Sequence, residues 1–169
     1  MRLRSSHRRS SGFFQISKHL PCAPSPTWFR ENLVAIARRL KAETSATVAF
    51  CSLPPIGEDP ASANPFQSEL NRRIVEYSAI IGEVARDAGI GYIPVYETLL
   101  AEIRESPGRA FTNFRFFPFY RDAFRVLVQR KGPDEVAHIN GWRFHSDGIH
   151  LNSRGGMIAA GLVQAFLDG

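Results

Sequence analysis

The chain has 169 residues, of which 44% are hydrophobic, 22% charged and 11% aromatic, as expected for one ordinary globular domain. No apolar run reaches the roughly 18 to 20 residues of a membrane-spanning helix, and no signal-peptide core follows the basic N-terminus. We therefore expect a soluble protein without a membrane span. Two cysteines, Cys22 and Cys51, are too few for a disulfide framework, so we expect inert buried thiols or a reducing compartment such as the cytoplasm.

The net charge of +5 is concentrated at the N-terminus. The first 18 residues contain five basic residues, the last of them Lys18, and no acidic one, and the other 16 basic residues balance the 16 acidic ones. A nucleic-acid-binding protein needs a basic face on its folded body, so we expect no nucleic-acid partner. Residues 1–26, rich in Arg, Ser and Pro, are predicted to be a disordered tail; a transit peptide or a misassigned gene start fits the first 18 equally well.

Residues 27–105 alternate between helical spacing and short apolar runs. The predicted elements are a helix from Thr27 to about Glu43, a strand at 46–53, a helix begun by Asn64 and Pro65 and ended by Gly89, a strand at 90–95 and a helix at 96–105. The first strand is apolar on both faces, as the strands of a parallel sheet are, and parallel strands require crossover helices. This order predicts an α/β domain.

The second half of the chain contains an aromatic segment and a final helix. Residues 111–120, FTNFRFFPFY, hold five of the 13 phenylalanines and follow neither a helical nor a strand period; helical spacing returns weakly from Phe119 to Gln129. We expect the segment to fold onto the core as a cap, or else to line an apolar substrate pocket. Asn152 or Ser153 is predicted to cap the last helix.

Three titratable side chains, His145, Asp147 and His150, come directly before this last helix. Asp147 and His150 are three residues apart and can meet across one turn of chain. The carboxylate then accepts the Nδ1 proton of the imidazole and leaves Nε2 as a general base, which is the base half of a hydrolytic triad. Two alternatives stay open: Asp147 closes an Asx-turn with Gly148 while His150 merely caps or packs, or the three side chains bind a metal ion.

Residues 147–167, DGIHLNSRGGMIAAGLVQAFL, resemble the C-terminal block of the SGNH/GDSL hydrolases. The upstream order of helix, strand ending in SLPP, loop, long helix and short strand IGYIPV is similar to that family too, so the resemblance covers about residues 28–169. It implies a three-layer α/β/α domain of the flavodoxin-like type with about five parallel strands. It also implies hydrolysis of a small-molecule ester without metal or cofactor, with His150 as general base and later acid and Asp147 as its orienter.

Two blocks of that family are missing from this sequence. No GDS-type serine block follows a first strand, and no G-x-N-D block occurs. The N-terminal serines lie in the basic tail or among prolines, at Ser5, Ser6, Ser10, Ser11, Ser17 and Ser25. A serine nucleophile needs an exposed turn beside the base, together with backbone donors for the developing charge. We therefore expect the chain to be the C-terminal part of a hydrolase, inactive alone unless a separate chain supplies the serine.

A second hypothesis makes the chain a non-enzymatic binding module that uses the aromatic segment 111–120 as its contact surface. The remaining polar residues have ordinary interpretations. Glu58 and Asp59 follow the first strand, where ligand-binding loops often lie, but we expect them in a solvated turn. Three arginines near the aromatic segment are expected on a charged outer face: Arg115, Arg121 and Arg125.

Overall fold

The computed structural model of the chain describes residues 24–112 and 116–169, with the backbone alone for residues 116–119. The predicted tail of residues 1–26 thus falls almost entirely outside the described residues. In chain order the elements are α1 (Pro26–Glu43), β1 (Ala49–Cys51), α2 (Pro65–Ala88), β2 (Gly91–Ile93), α3 (Val95–Glu105), α4 (Phe116–Leu127), α5 (Pro133–Ile139) and α6 (Ser153–Asp168). The described residues form a mixed α/β fold that is mostly helical.

The two predicted strands pair in parallel, as expected. The register pairs Ala49 with Gly91, Phe50 with Tyr92 and Cys51 with Ile93. Each strand has only three residues, so the strands are shorter than the apolar runs that predicted them. Within the described residues the sheet holds these two strands alone, and the implied five-stranded, three-layer fold is not confirmed.

β1 has one unpaired edge. The Ser52 N–H donates to β2 over 3.0 Å, and the Val48 carbonyl accepts from β2 over 2.9 Å. Because the bonding groups of a parallel strand alternate between its two edges, those of Ala49 and Cys51 point away from β2. No described strand meets them there. Cys51 is exposed, so the buried thiol, one of the two expectations for the cysteines, is wrong for this residue.

Helices lie against both faces of the strand pair. The ring of Tyr92 packs beside Gly82 of α2, 3.6 Å from where a Cβ would stand. The neighbouring Ile93 packs with residues of α6. Because successive side chains of a strand point to opposite faces, α2 and α6 cover opposite faces. The close approach of α6 depends on Gly91, where a Cβ would lie 2.3 Å from the Phe166 ring.

The helix ends follow capping chemistry. Asn64 caps α2 and Gly89 ends it in the left-handed conformation, which confirms both predictions. The cap of α1 is Ser25 and not Thr27, because Pro26 takes the first helical position. An N–H at that position has no partner within the helix, so proline, which lacks it, loses no hydrogen bond. None of the helices among the described residues has both the length and the apolar character that a membrane crossing requires.

Two helices differ from the prediction. α4 begins at Phe116, inside the aromatic segment that we expected to be irregular, and the seven-residue α5 was not predicted at all. Of the aromatic segment, residues 113–115 and the side chains of 116–119 lie outside the described residues. Phe111 is buried in a core cluster with Trp142, whereas Tyr120 is 66% exposed. The expected cap therefore holds for Phe111 but not for Tyr120.

Candidate active site

Asp147 and His150 lie in the loop of residues 145–152 that leads into α6, called the dyad loop below. Nδ1 of His150 is 2.7 Å from Oδ2 of Asp147, so the predicted contact is present. Because an ionised carboxylate can only accept, Nδ1 carries the proton of the neutral ring, and Nε2 of that tautomer holds the lone pair. Nε2 makes no hydrogen bond within the described part of the chain, and the His150 side chain is 77% exposed. The pair therefore presents a free imidazole base at the surface.

The second oxygen of Asp147 fixes the turn that carries His150. Oδ1 accepts the backbone N–H groups of Ile149 and His150, each over 2.9 Å. This is an Asx-turn, as in the first alternative of the sequence analysis. The turn and the orienting contact coexist, because Oδ1 makes the turn and Oδ2 bonds to the His150 ring. Burial raises the pKa of Asp147, but the hydrogen bonds from His150 and Ile149 outweigh it and bring the pKa below its ordinary 3.8. Asp147 is thus ionised at neutral pH.

The ends of the dyad loop are joined to each other and to α6. An antiparallel bridge pairs His145 with Leu151. Asn152 caps α6, as one of the two predicted candidates, by accepting the Gly155 N–H over 3.0 Å. Its amide also donates to the carbonyls of Arg143 and His145, at 3.1 and 3.2 Å. One asparagine therefore fixes both the helix and the loop in front of it.

A buried ionic pair joins Glu58 to His145, the first residue of the dyad loop. Neither side chain has any exposed surface, and Oε1 of Glu58 is 2.9 Å from Nδ1 of His145. The same carboxylate accepts the backbone N–H groups of Arg143, Phe144 and His145, at 2.6 to 2.7 Å. Nε2 of His145 faces the Pro55 carbonyl oxygen at 2.9 Å. Both ring nitrogens of His145 therefore face oxygen atoms, one of a carboxylate and one of a backbone carbonyl.

The expectation that Glu58 lies in a solvated turn is therefore wrong, because its carboxylate finds internal donors. Desolvation raises the pKa of Glu58, but the hydrogen bond from His145 and three backbone N–H groups outweigh it and lower the pKa below 4.5. Asp59 does lie in a turn, where Oδ1 accepts the Ala61 N–H over 3.0 Å. A further hydrogen bond joins the loop that carries Glu58 to the dyad loop: the Gly57 N–H donates to the Gly148 carbonyl over 2.8 Å.

These contacts bear on the metal alternative. Both ring nitrogens of His145 are engaged by protein acceptors, so its ring does not converge with Asp147 and His150 on one point. No group of three or more His, Cys, Asp or Glu side chains in residues 24–112 and 116–169 is placed to hold a metal ion.

The Ser146 hydroxyl lies beside His150, but it donates to the His150 backbone carbonyl over 3.1 Å and not to the imidazole. No serine, threonine or cysteine of the described residues bonds to its imidazole. Ser25 caps α1, and the other N-terminal serines lie outside the described residues. Ser52, at the carboxyl end of β1, is buried and donates to Glu97 over 3.0 Å. Two cavities of about 750 and 590 Å³ lie elsewhere, and Asp147 and His150 line neither.

α4 exposes an apolar stripe beside an arginine network. Tyr120, Phe124 and Leu127 are 66%, 54% and 78% exposed, and their spacing puts them on one helical face. Arg121 and Arg125, expected on a charged outer face, bond to Asp122 and Asn140. Arg115 lies outside the described residues.

Comparisons of the chain with models of known protein families, with curated proteins and with solved structures find no match. The resemblance to the SGNH/GDSL hydrolases therefore stands on the chain's own residues. Those residues form an exposed aspartate–histidine pair, braced by a buried ionic pair, at the start of the last helix of a mixed α/β fold.

Proposed function

We propose that this chain supplies the base half of an ester hydrolase active site of the SGNH/GDSL type, with His150 as general base and Asp147 as its orienter. The observation that carries the proposal is the 2.7 Å contact between Nδ1 of His150 and Oδ2 of Asp147, combined with an exposed Nε2. That arrangement fixes the tautomer in which Nε2 can accept a proton.

The chemistry requires one proton to move twice. As a serine hydroxyl attacks the ester carbonyl, Nε2 of His150 takes its proton and the ring becomes an imidazolium. Asp147 stabilises that cation. The Nε2 proton then passes to the leaving alcohol as the ester C–O bond breaks, and a water molecule repeats both steps to release the acid.

The buried pair of Glu58 and His145 helps to hold the loop that carries the proposed base, His150. A catalytic base must be held close to its productive geometry by groups that are themselves fixed. Glu58 bonds to the backbone at Arg143 and Phe144, directly before the dyad loop, and at His145, its first residue. Glu58 is therefore a positioning residue in this proposal.

We also propose that the sheet continues beyond β1 in the active protein. The bonding groups at the outer edge of β1 have no strand partner in the described part of the chain, and an open apolar edge is a template for further strands. Additional strands there would complete the three-layer α/β/α fold. The serine and the oxyanion donors would come from that region, either in a longer polypeptide or on a separate chain.

Hydrolysis of short p-nitrophenyl esters tests the function. The chain alone, and the longer polypeptide encoded by extending its reading frame upstream of Met1, are each assayed as wild type, His150→Ala, Asp147→Asn and the control Asp87→Asn. Asp87 is exposed on α2, far along the chain from the dyad.

We expect the chain alone to be no faster than its His150→Ala variant. In the longer polypeptide, His150→Ala lowers the rate by about 10² to 10⁴-fold, Asp147→Asn lowers it as well, and Asp87→Asn leaves it unchanged. His150-dependent hydrolysis by the chain alone would refute the incomplete site. Hydrolysis by the longer polypeptide that survives His150→Ala would refute the dyad.

A second candidate function, a binding module, is favoured by the exposed stripe of Tyr120, Phe124 and Leu127 on α4. Apolar side chains clustered on one face mark contact surfaces. If copies of the chain associate through this face, Phe124→Lys weakens the association in sedimentation experiments, and the control Met157→Lys, on exposed α6 surface, does not. A monomer at all concentrations argues against self-association through α4.

A further inference from the structure

A cavity of about 590 Å³ lies between the loop after α3, the helix α5 and the first turn of α6. Its walls include Pro107, Trp142 and the arginines Arg143 and Arg154. Its size is within the range of small-molecule sites. It is distinct from the dyad, because neither Asp147 nor His150 lines it.

Two arginines that line this cavity, and Arg109 beside it, contact neutral groups within the described part of the chain. Arg143 donates to the Ser106 hydroxyl, Arg154 lies over the Phe144 ring at 4.5 Å, and Arg109 lies over the Trp142 wall at 5.7 Å. None of the three forms an ion pair with a carboxylate of the described residues. Seven other arginines do form such pairs: Arg30, Arg39, Arg72, Arg73, Arg86, Arg121 and Arg125.

One carboxylate, Asp134, also lines the cavity, and it is already engaged. Its Oδ1 accepts the Ser153 N–H over 3.0 Å, and the hydrogen bonds from Ser153 lower the pKa of Asp134. Among the side chains that line the cavity, the positive charges of Arg143 and Arg154 exceed the negative charge of Asp134 by one. The cavity thus carries a net positive charge that comes from side chains.

We propose that this cavity binds the oxyanion group, phosphate or carboxylate, of a small organic molecule. Guanidinium groups bind such oxyanions with paired, charge-assisted hydrogen bonds, and stacking on aromatic rings holds the guanidinium of Arg154 while its N–H donors stay available. Arg143 and Arg154 hold the anion, and Pro107 and Trp142 contact the organic part. The site stands independently of the hydrolase proposal, since it uses neither Asp147 nor His150.

The test is an NMR titration of the full chain with inorganic phosphate and, separately, with acetate, at constant ionic strength set with chloride. The chain has two tryptophans, so the indole N–H of Trp142 reports on the cavity and that of Trp28, on α1, is an internal control. Arg143→Gln and Arg154→Gln are compared with Arg38→Gln, an exposed arginine of α1 that has no ion-pair partner in the described part of the chain.

We expect at least one of the two anions to shift the Trp142 signal to saturation while the Trp28 signal stays in place. Phosphate alone indicates a phosphorylated ligand, and acetate alone indicates a carboxylic acid. Each cavity variant should weaken binding about tenfold, and Arg38→Gln should bind like wild type. Linear shifts without saturation for both anions, or unchanged affinity in both cavity variants, would overturn the proposal. Circular dichroism of each variant confirms that it is folded.

Discussion

Replacing Glu58 by glutamine removes one negative charge from the interior while keeping the size of the side chain. In the wild type, Oε1 accepts from Phe144 N–H, His145 N–H and His145 Nδ1, and Oε2 accepts from Arg143 N–H. With the amide oxygen in the place of Oε1, the amide nitrogen points at the Arg143 N–H, so two donors face each other. Nδ1 of His145 also loses the negatively charged oxygen that it faces at 2.9 Å.

The loss of stability in Glu58→Gln follows from the burial of Glu58 and His145. Breaking a buried ion pair by removing one partner costs about 3–5 kcal/mol, and Glu58 and His145 are both 0% exposed. A domain of this size has a total stability of about 5–15 kcal/mol. Glu58→Gln therefore removes a large share of the free energy of unfolding. With a urea slope of about 2 kcal/mol/M, the unfolding midpoint falls by about 2 M.

Urea denaturation, followed by circular dichroism, measures this shift of the unfolding midpoint. Glu105→Gln is the control, because Glu105 is exposed at the end of α3. The folded-state pKa of Glu58 lies below its ordinary 4.5, so its stabilisation is present above pH 4.5 and is lost as pH falls through the folded value. The difference in unfolding midpoint between the wild type and Glu58→Gln should therefore become smaller at acidic pH. A midpoint like that of Glu105→Gln at neutral pH would refute the ionic pair.

Three further substitutions have defined outcomes. Asp147→Asn should switch the neutral His150 ring to the Nε2–H tautomer, because the amide donates where the carboxylate accepted; ¹⁵N NMR reads the tautomer, and an unchanged ring contradicts the orienting contact. Gly57→Ala should cost about 2 kcal/mol or more, because its φ is +70° and a Cβ would lie 2.2 Å from Gln67 Oε1. Gly132→Ala, with nothing within 4 Å, is its control, and equal stabilities of the two variants would contradict the strain. Asn152→Ala should cost about 1–2 kcal/mol in the same denaturation assay through the lost cap of α6; a loss within the experimental error would show that the cap is unimportant.

The features that the sequence predicts correctly are local. Asn64 and Gly89 mark the ends of α2 through the chemistry of single residues, and the contact of Asp147 with His150 spans only three residues. The apolar runs that predict β1 and β2 are local too. Each of these signals depends on neighbours along the chain, where spacing is direct evidence. The parallel pairing of the two strands, which joins Ala49 to Gly91, is the one correct long-range prediction, and it follows from the two-sided apolarity of β1 and the order of the elements.

The features that the sequence does not predict depend on distant partners. Glu58 and His145 are 87 residues apart, and an isolated glutamate after a strand is far more often solvated than buried. Its burial depends on backbone N–H groups that no side chain reveals. The weak helical spacing from Phe119 to Gln129 indicates a helix there but does not show which face is covered. Phe124 and Leu127 are exposed, because no element of the described residues covers them.

The most direct test of His150 as general base is labelling by a fluorophosphonate, which reacts with serines that a neighbouring base activates. The longer polypeptide proposed above, made by extending the reading frame upstream of Met1, is treated as wild type, His150→Ala and Asp87→Asn. We expect labelling of the wild type and Asp87→Asn at one serine outside the described residues, and loss of labelling in His150→Ala. Equal labelling of the wild type and His150→Ala would contradict the role of His150.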